Sequence, residues 1–365
     1  MRTAIVILNW NTKEYLKRFL PGVIAYSAGA DVIVADNASN DGSIELLDRD
    51  FPEIRKIRFD RNYGFTGGYN KAFEAIKDEG YEYYLLLNTD IEVPDGWLSP
   101  LVEFMDSHPE CGACSPKLHA FQDRDRFEYA GAAGGFIDKF GFPFCRGRVM
   151  NMVERDYGQY DNGAKQLFWA TGACLMVRSV LFHECGGLDN RFFAHMEEID
   201  FCWRLQLAGH KIYVVPDSVV WHLGGGTLPV SSPWKLQLNY RNNLLMLQNN
   251  LSRSYALEMY RNGRSIKKAA RSGRIKARAV ITVRMLIDGC TAIVYLLTAN
   301  PAYFKSVFLA HNEYRQLGNI VHQEDIERYL SLHGDKAEIV GWYRKSIVAR
   351  AVILKKGIWK TIHKL

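Results

Sequence analysis

The polar residues that end the apolar runs of the N-terminal half are the first to carry chemistry in this 365-residue chain: Asn9 after AIVIL, Asp36 after VIVA, and Asn88-Thr89-Asp90 after YYLLL. Further on, Glu197-Glu198-Ile199-Asp200 puts three carboxylates into the first turn of an expected helix running to Ala208. A carboxylate can take a proton as a general base. Acids in a first turn also stabilise a helix through its dipole without doing chemistry. Glycines 64, 67 and 68 let the backbone approach a ligand closely, or make a tight turn before a helix. No GxGxxG follows the first strand and no GxxxxGK[ST] occurs, which lowers dinucleotide and P-loop chemistry. The Cys111/Cys114 pair has no second pair at zinc spacing, and seven scattered cysteines read as free thiols. Trp169 and Trp203 flank apolar runs and read as core.

The runs Ala4–Leu8, Asp31–Ala35, 54–59 and Tyr83–Leu87 are short, apolar and rich in β-formers, so they read as buried strands. Between them, residues 14–26, 43–48 and 68–79 have helical periodicity. The resulting βαβαβαβ order predicts an α/β fold, a mostly parallel sheet with flanking helices. Ligands of such sheets bind at the carboxyl ends of the strands, where Asn9, Asp36 and Asp90 fall.

Hydrophobic residues make up 48% and charged residues 24% of the chain, which excludes a disordered protein. The net charge of +6 is unevenly spread: residues 1–260 carry 26 basic and 33 acidic side chains, residues 261–365 carry 20 and 7. Residues 261–284 hold nine Lys or Arg and no acid, and residues 341–365 hold seven and no acid, mixed with apolar residues. That composition suits an interfacial amphipathic helix on an anionic membrane. A solvated basic face and an acidic protein partner are the alternatives, and no nucleic-acid motif accompanies the charge. The six-residue apolar run near the N-terminus is too short for a signal peptide, and residues 285–309 are too interrupted for a spanning helix, so neither is expected.

Three segments, residues 34–39 (VADNAS), 61–70 (RNYGFTGGYN) and 87–90 (LNTD), together resemble the inverting glycosyltransferases of family 2. Residues 171–178 (TGACLMVR), 196–204 (MEEIDFCWR) and Val220-Trp221-His222 ahead of three glycines extend the resemblance, which is to the rhamnosyltransferase-like branch and covers about residues 1–250. It implies a GT-A fold, a nucleoside-diphosphate sugar donor, inversion at the anomeric carbon, and a GT-A domain over 1–250 followed by a helical, basic, amphipathic region over 251–365. By the same resemblance Asp90 and His222 are metal ligands for Mn²⁺ or Mg²⁺, the imidazole favouring manganese. Asn88 stands where the family often has Asp. Glu198 stands where it commonly has the Asp base, with Glu197 and Asp200 as alternatives. Asp36 and Asn9 are similar to the residues beside the nucleobase, and Asn62, Gly67, Gly68, Asn70 and Asn88 belong to the expected nucleotide-sugar set. Arg241 and Asn242 recur after the catalytic domain without an assigned role. The implied setting is cell-surface polysaccharide or lipid-linked glycan assembly, with the enzyme cytoplasmic and peripheral on the inner face of the membrane. Asn88 and Glu198 keep a second reading open, a nucleotide-sugar-binding protein without transferase activity.

Overall fold

A computed structural model describes residues 3–129, 131–224, 232–353 and 358–364. The four apolar runs become β1 (Thr3–Asn9), β2 (Ala30–Asp36), β3 (Arg55–Arg58) and β4 (Tyr83–Leu87), joined by α1 (Lys13–Tyr26), α2 (Ser43–Asp50) and α3 (Gly64–Glu74). β1 pairs in parallel with both β2 and β4, and β3 lies outside β2. α3 begins at Gly64, earlier than periodicity suggests, because Gly64 at φ +72° turns the chain directly into the helix.

There follow β5 (Ile91–Glu92), α4 (Ser99–Ser107), β6 (Cys111–Ala120), β7 (Gly135–Asp138), β8 (Pro143–Cys145), β9 (Arg148–Val149), β10 (Met152–Val153), β11 (Lys165–Leu167), β12 (Cys174–Arg178), α5 (Ser179–Glu184), α6 (Glu197–Leu207) and β13 (Lys211–His222). The large sheet has the order β11-β13-β6-β12-β4-β1-β2-β3, with β5 on β13. It is mixed rather than mostly parallel. β12 starts opposite the carboxyl end of β4, Cys174 against Leu87, and runs back antiparallel to both β4 and β6. That reversal places residues 171–173 on the rim where the site lies.

The C-terminal region is helical as expected: α7 (Pro233–Arg261), α8 (Ile266–Leu297), α9 (Pro301–Leu317), α10 (Gln323–His333), α11 (Ile347–Ile353) and α12 (Ile358–Ile362), with β14 (Trp342–Tyr343) between α10 and α11. Residue 250, the expected end of the catalytic domain, falls inside α7, and β14 pairs with β7 in a second sheet of order β10-β9-β8-β7-β14. Trp342 of β14 packs its ring against Trp203 of α6 and Tyr255 of α7. The two regions therefore share a core.

α8 is long and apolar enough to cross a membrane by length and composition, although residues 285–309 seemed too interrupted. The interruption is accommodated locally: Arg284 and Asp288, one turn apart, pair at 2.8 Å and are buried. Only 17% of the most apolar stretch of α8 is buried.

Candidate active site

β1 and β2 end side by side, and their last residues bond to each other. Asn9 Nδ2 donates to Asp36 Oδ2 at 2.6 Å and to Ser39 Oγ at 2.9 Å, and the Ser39 amide donates to Asp36 Oδ1. Both side chains are buried. The next turn is tied to them through Asn37, which the sequence did not single out: its Nδ2 reaches Asn62 Oδ1 and the Gly64 carbonyl, and its Oδ1 accepts from the Tyr63 amide. Asn62 thus shapes the turn into α3.

The glycines act mostly through packing. A Cβ on Gly68 would sit 2.7 Å from the Leu8 side chain, and one on Gly67 would sit 2.9 Å from the Tyr63 Cβ, so these positions let α3 close on its neighbours. Asn70 is not brought to the strand ends. Its amide donates to the Leu188 carbonyl at 2.7 Å and accepts from the Leu188 amide, fastening the segment before α6. Trp169 and Trp203 are core, donating to the Phe136 carbonyl and Ser254 Oγ.

Beyond β4, the Asn88 amide donates to the Ala173 carbonyl at 2.9 Å, and Asp90 turns inward. The end of β13 brings His222 to it across 132 residues, with Nε2 at 3.2 Å from Asp90 Oδ1. The Gly224 amide donates to Asp90 Oδ2; residues 225–231, including the two glycines that follow, lie outside the described residues. On the other side of the imidazole, Nδ1 lies 3.3 Å from Oε1 of Glu128, a buried carboxylate that no sequence motif marked. Burial pushes the His222 pKa down, but the Glu128 charge and the Asp90 hydrogen bond outweigh it and raise it to about 10. Burial pushes Asp90 up, and His222 overcomes this to hold it below the usual carboxylate range.

The acidic cluster divides by environment. Asp200 is fully buried and committed: it accepts from Arg204 Nε at 2.8 Å, Asn249 Nδ2 at 2.9 Å and Asn250 Nδ2 at 2.8 Å. Those bonds anchor α6 to α7, which makes Asp200 structural. Glu197 is 4% exposed and faces inward. Glu198 keeps partial access to solvent, with one carboxylate oxygen buried and without a hydrogen-bond partner. Its Cβ lies beside Gly172, 3.3 Å from where a Cβ there would stand. Gly172 adjoins Ala173, the acceptor of the Asn88 amide, so Glu198 faces the carboxyl end of β4. Burial raises the Glu198 pKa to about 7; burial and the Glu198 charge together raise Glu197 well above its ordinary value.

The segment entering α6 is strained. Phe193, His195 and Met196 have φ of +62°, +73° and +72°, a region bulky side chains rarely occupy. Several bonds hold it there. Asn242 Nδ2 donates to the carbonyls of Phe192, Ala194 and His195, Arg241 Nη2 donates to those of Arg191 and Phe192, and the amides of Phe65 and Thr66 donate to the Phe193 carbonyl. Arg241 and Asn242 thus fix the loop that aims Glu198. His195 presents a buried, unpartnered Nε2, and burial with the Lys235 charge lowers its pKa to about 4, so it is neutral at pH 7.

Residues 4–184 match the family model for glycosyl transferase family 2. Among curated proteins, the chain is 26% identical over 234 residues to an N-acetylglucosaminyl-diphospho-decaprenol L-rhamnosyltransferase of Mycobacterium tuberculosis (strain ATCC 25618 / H37Rv), covering 60% of this chain and 75% of that one. It is 24% identical over 220 residues to rhamnosyltransferase WbbL of Escherichia coli (strain K12), covering 58% and 80%. Among solved structures, GalNAc-T7 with UDP, GalNAc and Mn²⁺ superposes with a TM-score of 0.51 at 18% identity, covering 70% of this chain and 51% of that one, which speaks to the fold. The matched span runs from β1 through α5 and takes in Asn9, Asp36, Asn88 and Asp90, and on this ground residues 4–184 are a glycosyl transferase family 2 domain, in a chain with the GT-A fold.

Proposed function

We propose that the protein transfers a sugar, with inversion, from a nucleoside-diphosphate donor to a hydroxyl of a glycan carried on lipid, and that it needs a divalent cation. The observation that carries this reading is the meeting of Asp90 and His222 on the rim that also receives Glu198. A carboxylate and an imidazole suit manganese, and among the described residues no three His, Cys, Asp or Glu side chains gather to cage a metal. Two protein ligands leave coordination positions for diphosphate oxygens and water, the usual arrangement for a cation that binds with its phosphate substrate. When bound, the cation would neutralise charge on the departing diphosphate. The protein's own work is to present Asp90 and His222 together, to floor the nucleobase end with Asn9 and Asp36, and to take a proton at Glu198. Asp36 accepts one protein hydrogen bond on each oxygen, which leaves lone pairs for a base N–H.

Glu198 is the base in this reading because it alone of the three acids joins solvent access to a raised pKa without structural bonds. An acceptor hydroxyl attacks the anomeric carbon while its proton passes to the Glu198 carboxylate and the bond to diphosphate breaks. Inversion follows from that single displacement. Proton NMR of the product should show the anomeric configuration opposite to the donor's, and retention would overturn the mechanism.

Glu128 orients the imidazole. A carboxylate on the second ring nitrogen keeps Nε2 turned toward Asp90, where the two residues would hold a cation, and losing such a partner typically weakens metal affinity about 10–100-fold. Glu128→Gln should therefore weaken Mn²⁺ binding by roughly that factor, measured by electron paramagnetic resonance titration in the presence of nucleoside diphosphate, while nucleotide binding without metal is unchanged.

The relatives support a setting for this activity. The M. tuberculosis protein acts, by its name, on a decaprenol-linked sugar. With a lipid-linked acceptor, the enzyme would work peripherally on the inner face of the cell membrane, its basic C-terminal region toward anionic headgroups. The rhamnosyltransferase relatives, with a dTDP-rhamnosyl transferase of Shigella flexneri among them, favour a deoxythymidine-diphosphate-rhamnose donor.

A further inference from the structure

α8 carries one solvent-facing stripe along its whole length. From Lys268 and Arg271 through Ile275, Leu286 and Ile293 to Leu297, the positions are spaced by threes, fours and their sums, so they share a face, and every one of them is exposed. The stripe begins cationic and ends apolar. Leu286 is 65% and Leu297 80% exposed, and Phe308 of α9 adds a ring that is 70% exposed. The opposite face of α8 is committed to the fold: Arg284 binds Asp288, Asn243 Oδ1 and the Phe140 carbonyl. A spanning α8 would have to pull that charged pair out of its partners, so the helix stays on the protein with its other face open.

α8 runs antiparallel to α7, with Gly273 against Ser252 and Ala256, and Arg284 against Asn243. α9 returns along the same end of α7, where its Glu313 accepts from Gln237 and Arg241. The apolar end of the hairpin thus adjoins the first turns of α7. Those turns also border the site: Trp234 packs on Phe193, and Arg241 and Asn242 hold the loop before Glu198.

We infer that the exposed α8–α9 face docks lengthwise on an anionic lipid bilayer, its apolar end at the boundary of the acyl chains and the Glu198 side of the site opening beside the membrane. The inference rests on the transferase reading and sharpens it, because it names the surface. Charge decides the occupant. Residues 261–287 contain no acid, so a second copy laid on this face would set cations against cations or against the apolar end, whereas an anionic bilayer matches both halves.

The test is sedimentation of the full chain with vesicles of phosphatidylglycerol and phosphatidylethanolamine, and with phosphatidylcholine alone. The wild type should pellet with the first and weakly with the second. The triple variant Leu286→Gln, Leu297→Gln, Phe308→Gln should bind at least about tenfold more weakly, and Lys268→Gln with Arg271→Gln should lose the preference for anionic lipid. All three substituted apolar residues are exposed, so circular dichroism and the dTDP thermal shift with Mn²⁺ should match the wild type. A wild type that stays in solution, or variants that pellet as it does, would overturn the docking; so would a dimer in sedimentation velocity that the triple variant abolishes without any vesicle binding. A nucleotide shift that persists through such a failure leaves the transferase reading standing, since the two fail separately.

Discussion

Glu198→Gln should leave a protein that folds and binds nucleotide but turns over about 10²–10⁴-fold more slowly, the usual contribution of a general base. Gln keeps the size of the side chain and removes the site where a proton can be held. Wild-type kcat/KM should climb about tenfold per pH unit below pH 7 and level off above it, because the base acts only when ionised and its pKa is raised to about 7 by burial. Stability gives an independent sign. The folded-state pKa lies above the ordinary Glu value of 4.5, so the folded chain binds this proton more tightly than the unfolded chain, and stability falls as pH rises from about 4.5 to 7. Glu198→Gln removes that cost and should stabilise the protein at pH 8 by about 3 kcal/mol, read from urea unfolding. Asp200→Asn, two residues on, should do the reverse. It breaks the buried pair with Arg204 and costs about 3 kcal/mol. A slow, stabilised Glu198→Gln beside a destabilised Asp200→Asn separates chemistry from anchoring.

Asp90→Ala should cost about 10²–10³-fold or more in turnover, and it should do so by removing the response to metal. The carboxylate is the one anionic ligand of the proposed pair, because Asn88 stands in the family's other acidic position. His222 loses a partner at 3.2 Å and keeps Glu128 at 3.3 Å, so the imidazole remains held but without a second ligand beside it. Raising Mn²⁺ a hundredfold should not restore the variant. Full rescue by metal would mean that Asp90 only tunes an affinity set elsewhere.

Much of this site could be read from local pattern. Asn9, Asp36 and Asp90 follow apolar runs, and a run ending in a polar residue at the edge of a parallel sheet marks a ligand rim whatever the distant partners are. Glu198 was legible as one of three acids; proposing it over Asp200 rests on the partners of Asp200, which come from α7 about 50 residues away. Glu128 was hidden for the same reason. It lies in a segment with no periodicity and meets His222 only because β13 lies beside β6 in the large sheet. Asn70 and Gly68 are expected ligand contacts that also serve the fold, through the Leu188 backbone and the Leu8 side chain, because polar and small residues serve binding and packing alike. Arg241 and Asn242 gained a role once the strained carbonyls of residues 191–195 stood opposite them. Charge counting found the basic region but not its geometry, since the open stripe on α8 is defined by what α7 and α9 cover.

The most direct test of the central claim is a thermal-shift and calorimetric titration of the wild type and Asp90→Ala with dTDP, UDP and GDP and their sugar conjugates, each with and without Mn²⁺. A ligand that binds only the folded state raises the melting temperature, by an amount that grows with the logarithm of its concentration above its Kd. The account predicts that one nucleotide, with dTDP favoured, raises the melting temperature of the wild type, that Mn²⁺ enlarges the rise, and that Asp90→Ala loses the enlargement while keeping the metal-free shift. A wild type whose response to every nucleotide is the same with and without Mn²⁺ would contradict it.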